Sequence, residues 1–176
     1  MAIEDISVCN TDILQSAKFL FSIPRLTTTQ FFCQRANIPG ISTQNTLQAT
    51  PFVDLPIPGD KIFYEDLSIE FLLDEELKSW ISIHNWMTGI AFPKEFDQYK
   101  NLAEQSRYSK NVKYPQYADA ELITLSSNNV RKVKIHFVDM FPVQLSGFDM
   151  DVRIGSEKTM TATASFKYKR YEILPI

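Results

Sequence analysis

With 176 residues, 44% of them hydrophobic and 12% aromatic, the chain has the length and composition of one packed globular domain, and we expect a single domain over residues 1–176. The formal net charge of −3 argues against a protein that grips nucleic acid, because affinity for phosphates depends on clustered Lys and Arg. No run approaches the roughly 20 apolar residues of a membrane-spanning helix, and the first residues include acids where a secretory signal would be basic.

Two strands joined in a hairpin are predicted before residue 40. Segments 18–23 and 29–36 have the composition of strands, and the turn 24–27 between them predicts that they pair with each other. The chain then bends at residues 38–40, Ile-Pro-Gly, where proline fixes one backbone dihedral and glycine tolerates a positive φ.

The next segment, residues 43–62, is interrupted by Pro51, Pro56, Pro58 and Gly59. It is too broken for a central strand and too long for an ordinary tight connection. We therefore predict an extended arm. Its residues 58–61 lack the strand, glycine-rich loop and helix of a phosphate site, and they are interpreted as a turn.

A strand and a helix are predicted after the arm. Apolar residues recur at every second position over 67–73, the period expected of a strand with one face on a core. The helix is predicted over about residues 75–90, because Asp74 can cap it and Gly89 with Pro93 can end it. Its apolar stripe, expected to pack on the sheet, comprises Leu77, Trp80, Ile81, Ile83, Trp86, Met87 and Ile90.

Strand patterns return in the C-terminal half. Residues 94–117 lack steady periodicity and are interpreted as a surface excursion that can include a short helical turn. A second hairpin is predicted from strands at 118–125 and 131–139 around the turn 126–129. One long closing strand is predicted over 159–171, which would reach about 40 Å at ~3.3 Å per residue. Its core face comprises Met160, Ala162, Ala164, Phe166 and Tyr168, and its other face Thr159, Thr161, Thr163, Ser165, Lys167 and Lys169.

These elements predict a mainly β fold: an antiparallel β-sandwich or barrel with one flanking α-helix and an extended arm. The closing strand, with one apolar face and one Thr/Lys face, would have a core on one side and water on the other, as antiparallel sheets often do. We expect one core and no second domain.

The residues predict no catalytic, cofactor or metal site. His84 and His136 stand at no spacing from another His, Cys or carboxylate that resembles a metal site. Cys33 is formally available as a nucleophile, but such a cysteine is more often a small core residue. Cys9 and Cys33 are too far apart for a disulfide scaffold, so we expect both to be reduced. The acidic run 74–76 is explained by a helix N-terminus, where carboxylates complement the helix dipole.

Basic residues on the strands leave a different class of function open. With Tyr168 and Tyr171 interleaved for stacking on bases, they would suit a soluble β-barrel module that binds nucleic acid or a small ligand. The simpler interpretation is a solvated strand face that discourages edge-to-edge pairing. The residues concerned are Arg131, Lys132, Lys134, Lys167, Lys169 and Arg170.

Three segments carry a resemblance to a known family: residues 31–41 (FFCQRANIPGI), residues 58–71 (PGDKIFYEDLSIEF) and the terminal run 140–173. In their order and spacing they resemble the tail tube protein family of T4-like contractile bacteriophages, over roughly residues 16–174. In that family a strand ending in a Cys-x-x-Ala-x-x-Pro-like segment is followed by an arm, a Gly-Asp-(Lys/Arg) turn, an aromatic and acidic strand entry, and a helix. The same fold serves baseplate tube initiators and the tube of type VI secretion systems.

The resemblance implies a structural subunit of a contractile tail's inner tube, and not an enzyme. It implies hexameric rings, stacked so that a common lumen conducts DNA during ejection. Implied partners are further copies of the chain, a sheath protein, a baseplate initiator, a length-setting protein and passing double-stranded DNA that is not specifically bound. The protein would assemble in the host cytoplasm, enter the virion tail, need no cofactor and insert in no membrane. A baseplate initiator of the same fold stays open as an alternative.

Two surfaces are candidate assembly sites under this resemblance. Contacts to another subunit or ring are expected on the arm, which alone could not bury its apolar side chains. The candidates there are Phe52, Val53, Leu55, Ile57, Asp60, Lys61 and Ile62. Lumen or seam candidates, where small hydroxyls give a smooth wall, are Thr159, Thr161, Thr163, Ser165 and Lys167. Residues 94–117, with Tyr99, Tyr108, Tyr114 and Tyr117, match no motif of the family and are interpreted as outer decoration, where a sheath would dock, or as the mark of a related component.

Overall fold

The computed structural model describes residues 17–26, 33–91, 93–106, 115–151 and 159–176, and antiparallel strands dominate these ranges. The strands are β1 (Phe19–Ser22), β2 (Cys33–Ala36), β3 (Ile41–Gln48), β4 (Leu55–Tyr64), β5 (Leu67–Leu72), β6 (Ala118–Leu125), β7 (Arg131–Leu145), β8 (Thr161–Lys167) and β9 (Arg170–Pro175). The helices are α1 (Lys78–Ala91) and α2 (Asp97–Ser106). The mainly β, antiparallel fold class is confirmed.

The main sheet has the strand order β1-β6-β7-β8-β5-β2, and β9 pairs with β7 beside this path. Strand β7 is long enough to pair with different strands along its two halves. Its residues 133–138 pair with β9, and its residues 141–145 pair with β8. Between the two stretches Asp139 has a φ of 53°, in the left-handed region, so the strand changes direction there.

The core lies on one face of this sheet and is closed by α1. Strand β5 shows the period-two pattern most clearly, because Leu67, Ile69 and Phe71 are all fully buried and pack with Phe137 and Phe166. Helix α1 contributes Ile83 and Trp86 to the same cluster. The predicted alternation of residues 67–73 is therefore confirmed, and so is the core face of β8 at Ala162, Ala164 and Phe166, whereas Met160, predicted on the same face, is exposed.

The first predicted hairpin is wrong. Strand β1 pairs with β6, and β2 pairs with β5, so the two lie at opposite ends of the strand order. A tight turn does follow β1, where the Leu26 N–H donates to the Ile23 carbonyl at 2.9 Å. A turn fixes where the chain reverses and does not choose the partner of a strand. Residues 29–32 of the second predicted strand lie outside the described residues.

The single closing strand is also wrong, because it is divided into β8 and β9 by Tyr168 and Lys169. The Lys169 N–H donates to the Val138 carbonyl at 3.0 Å, beside the bend in β7. Both strands pair with β7, one on each side of Asp139, so the closing segment follows the bend of its partner. The predicted hairpin of β6 and β7 is confirmed, with the Asn129 N–H donating to the Ser126 carbonyl in its turn.

The helix prediction is right in kind and wrong at its ends. Helix α1 begins at Lys78, because Leu77 has a φ of 51° and its N–H closes a turn on the Asp74 carbonyl at 2.9 Å. Gly89 is buried inside the helix and does not end it; a Cβ there would lie 2.9 Å from Leu102 Cδ1 of α2. The missing side chain thus lets the two helices pack closely.

Helix α2 lies within the segment interpreted as a surface excursion, so the prediction of a single helix is wrong. It is a mostly polar helix whose Leu102 is buried against α1, and one buried residue gives little periodic signal. Neither helix in the described part of the chain is long and apolar enough to cross a membrane.

Candidate assembly surfaces

The predicted arm is a hairpin of β3 and β4, residues 41–64, that pairs with no other described strand. All residues of β3 and nearly all of β4 are exposed. The seven predicted contact residues are also exposed: Phe52 and Val53 lie in the loop between the strands and the other five on β4, and Phe52 is 95% exposed. Ile41, Leu47 and Phe63 of the same hairpin are exposed as well. A hairpin with apolar side chains and no core needs another surface to cover it.

The segment interpreted as a turn, residues 58–61, lies inside β4 and produces an irregularity there. Thr43 pairs with Ile62 and Asn45 with Pro58, so the extra residues are on β4. A Cβ on Gly59 would lie 2.3 Å from the backbone oxygen of Gln44. Only glycine allows the two backbones to approach so closely at this bulge.

The base of the arm is fixed to the β8–β9 corner by three tyrosines. The ring of Tyr64 packs on Tyr168 at 5.7 Å and on Tyr171 at 5.5 Å between centroids. The Tyr168 hydroxyl donates to the Glu65 carbonyl at 2.9 Å, and burial raises the pKa of this phenol. The Gly40 N–H donates to Glu65 Oε2 at 3.2 Å. The arm is therefore exposed along its length but held at its root.

The predicted lumen or seam residues form one face of the sheet. Thr159, Thr161, Thr163 and Lys167 are exposed, and Ser165 is half-buried. In the ladder, Thr163 lies opposite Glu70 and Ser165 opposite Ser68, so the polar surface continues onto β5. The structure brings these residues together on a polar surface that faces away from the core.

The sequence analysis did not predict the group of apolar residues around Trp80 of α1. The indole of Trp80 stacks on His84 at 5.2 Å and meets Phe148 edge-on at 5.9 Å. Ile81, next to Trp80, and Met150, two residues after Phe148, are both exposed, although Ile81 was assigned to the core stripe. At 3.6 residues per turn, Ile81 lies about 160° around the helix axis from the buried Ile83, so it faces away from the core.

The predicted basic patch is largely neutralised. Four of its members have carboxylate partners: Lys134 with Glu121 at 3.0 Å, Lys167 with Asp66 at 4.0 Å, Lys169 with Asp139 at 3.8 Å, and Arg170 with Glu172 at 2.9 Å. Tyr168 and Tyr171 pack on each other and on Phe137, so their rings are not laid open for stacking on bases. This geometry disfavours a nucleic-acid interface here.

The candidate reactive residues are not arranged for catalysis. Burial raises the pKa of the Cys33 thiol to about 11, which keeps it protonated and weakly nucleophilic at neutral pH. His136 lies 4.0 Å from Asp119 Oδ2 and 3.8 Å from Glu121 Oε1 on an outward strand face. Within the described ranges no group of three or more His, Cys, Asp or Glu could hold a metal ion. Cys9 lies outside those ranges.

A cleft of about 330 Å³ lies between the helices and the sheet. It is lined by Ile90, Tyr99, Gln116, Tyr117 and Phe141. The Tyr99 hydroxyl donates to Gln116 Oε1 at 3.0 Å, which ties α2 to the segment before β6. Tyr108 and Tyr114, predicted in the same region, lie outside the described residues.

Comparisons with known proteins agree on one family and fold. A family model described as phage tail tube protein matches residues 15–174. The tail tube terminator protein of Enterobacteria phage T4 is 27% identical over 164 residues, which cover 90% of this chain and 87% of that protein. The tube-terminating cap of the anti-feeding prophage has a TM-score of 0.61 at 12% identity, over 100% of both chains. A chain of the sheath/tube terminator of the extracellular contractile injection system PVC has a TM-score of 0.59 at 10% identity, over 92% of this chain and 96% of that one.

Proposed function

The chain belongs to the phage tail tube protein family, and from this premise we propose that it is a structural subunit that closes the end of a contractile tail tube as a ring. The observation that carries the proposal is the alignment of 90% of the chain with the tail tube terminator of phage T4. Two solved structures described as terminators share its fold, which agrees with this assignment. The function requires self-assembly and docking, and no catalytic step.

The arm would make the contact between neighbouring subunits. It carries exposed apolar residues on a hairpin that its own chain leaves uncovered, and the tyrosines at its root hold it in a defined direction. An interface that covers Phe52, Leu55 and Ile57 would remove apolar surface from water, which is the main driving force of association. The charged pair Asp60 and Lys61 would then set the register of the contact.

The polar face of β8 would line the lumen or a seam between subunits. Its Thr and Ser side chains are short, and each copy adds a formal charge of −3 to the ring. Like charge would keep passing DNA from adhering to the wall. Tube subunits, a sheath protein and the components that start the tube and set its length are the partners of such a ring, in the tail of a virion.

The proposal is tested with purified protein and polymerising tail tube subunits of a contractile phage. We expect rings of a single layer from the chain alone, found by negative-stain electron microscopy and sedimentation. Added to growing tubes, the chain should stop elongation, and a gold label on it should mark one end of each tube. A chain that remains monomeric and neither binds nor stops tubes would overturn the proposal.

A second candidate is the main tube subunit, which stacks ring upon ring. It is favoured by the arm, because a hairpin exposed on both faces has a surface left for an adjacent ring. In the same experiment a main tube subunit would itself grow into long hollow tubes and be incorporated along their length. The baseplate initiator would instead start tubes, so the label would appear at the end from which growth begins.

A further inference from the structure

The two outer edges of the arm differ in their capacity to accept another strand. In an antiparallel pair, successive residues direct their backbone N–H and C=O groups alternately toward the partner and toward the outer edge. Proline has no N–H and fits a hairpin where its position faces outward. Pro56 and Pro58 of β4 lie opposite Leu47 and Asn45. The hydrogen-bonded positions on β4 are therefore the intervening ones, Leu55 and Ile57.

A hydrogen bond at the base of the arm gives the same alternation for β3. The Glu65 N–H donates to the Gly40 carbonyl at 3.1 Å, so position 40 faces the partner strand. Even-numbered positions from 40 to 48 then face β4, which agrees with Thr46 and Gln48 lying opposite Ile57 and Leu55. The odd-numbered positions of β3 face outward.

The outer edge of β4 is closed to strand addition, and that of β3 is open. On β4 the positions 56 and 58 lack donors and the bulge at 59–61 interrupts the ladder. On β3 the positions 41, 43, 45 and 47 present an unbroken row of donors and acceptors, flanked by exposed Ile41 and Leu47. Edge strands are usually protected by charges, prolines or bulges, and β3, with the sequence ISTQNTLQ, has none of them.

We propose that the outer edge of β3 is a strand-addition site that takes an extended segment of a neighbouring copy of this chain. This inference rests on the proposed function and states how the arm would join the ring. Among the described strands the main sheet ends in β1 and β2, each with one partner, so within this part of the chain a copy offers an open arm edge and open sheet edges. Two different surfaces of one chain make a head-to-tail contact, which closes into a ring when every copy uses each surface once.

Backbone pairing supplies affinity without demanding particular side chains, as in other cases of strand addition. The neutral composition of β3 places no charge that would repel the incoming segment. The prolines of β4 restrict the addition to one edge of the hairpin, which fixes the side on which the neighbour sits.

The test replaces Asn45, whose N–H faces outward. Asn45→Pro removes that donor and leaves the ladder to β4 in place, whereas the matched control Asn45→Ala removes the same side chain and keeps the donor. Sedimentation of the full chain should show that Asn45→Pro needs at least about tenfold more protein for half-assembly, and that Asn45→Ala assembles like the parent. Hydrogen exchange at Thr46 and Ile57 checks that the hairpin persists.

Each outcome decides a different claim. Rings of Asn45→Pro that form like those of the parent would overturn the inference and leave the proposed function standing. Rings of Asn45→Pro that form but no longer stop tube growth would also overturn it, since the edge would then take a strand of a tube subunit. Failure of the parent chain to form rings would contradict the proposed function itself. If Asn45→Pro loses protection at Ile57, Leu47→Pro with its control Leu47→Ala repeats the test at the next outward position.

Discussion

The hairpins β3–β4 and β6–β7 share antiparallel topology and differ in environment. In β6, Ala118, Ala120 and Leu122 are buried at every second position, and Phe137 of β7 lies in the same core. No residue of β3 is buried. One hairpin therefore contributes to folding, while the other presents apolar surface that folding leaves uncovered. The comparison teaches that strand pairing and burial are separate properties, because both hairpins are fully paired and only one of them is buried.

The largest expected difference between the hairpins comes from removing an aromatic ring from each. Phe137→Ala should lower the free energy of unfolding by roughly 3–5 kcal/mol, because it empties a fully buried site. Phe52→Ala in the arm should change it by less than about 0.5 kcal/mol, since the ring is 95% exposed. Urea denaturation of monomeric protein measures both. A loss of several kcal/mol in Phe52→Ala would show that the arm has a core contact after all.

A smaller effect is expected at the bulge of the arm. Gly59→Ala places a Cβ 2.3 Å from the backbone oxygen of Gln44, and backbone cannot swing aside as a side chain can. Overpacking of this kind costs about 1–3 kcal/mol, and here it should open the hairpin locally while the core persists. Hydrogen exchange should therefore quicken in β3 and β4 and stay unchanged in β6 and β7. Gly147→Ala, with nothing within 4 Å of its added Cβ, is the matched control.

The smallest effect is expected at the root of the arm. Tyr168→Phe removes the hydrogen bond to the Glu65 carbonyl, worth about 0.5–1.5 kcal/mol, and leaves the aromatic packing with Tyr64. Because the pKa of Tyr168 is raised in the fold, the neutral phenol is the favoured form. The contribution of the protonated Tyr168 hydroxyl to the free energy of unfolding is present at neutral pH and is lost as the pH rises above about 10. The stability difference from Tyr168→Phe should accordingly shrink at alkaline pH; a constant difference would contradict the assigned bond.

Local patterns in the sequence predicted those elements whose signal is periodic. Strand β5 and the β6–β7 hairpin follow from strict alternation, and the exposed arm follows from prolines and apolar residues without a period. The β1–β2 pairing failed because a turn fixes where the chain reverses and does not fix which strand lies beside it. Helix α2 was not predicted because its sequence is mostly polar, so the buried Leu102 belongs to no apolar stripe.

The sequence predicted the exposure of the candidate assembly residues but not their geometry. All seven arm candidates are exposed, and the Thr/Ser face of β8 is a continuous surface. The tyrosine root joins Tyr64 to residues more than 100 positions away, a contact that no local pattern encodes. The division into β8 and β9 likewise depends on Asp139, a single left-handed residue in the partner strand.

The central claim is that the outer edge of the arm gains a strand partner on assembly, while the rest of the fold is complete without it. Hydrogen exchange measured on the monomer and on the assembled ring tests this most directly. We expect the outward amides of β3, at positions 41, 43, 45 and 47, to exchange quickly in the monomer and to gain protection on assembly, with β6 and β7 protected equally in both states. Unchanged exchange in β3 after ring formation would contradict the account and place the subunit contact elsewhere.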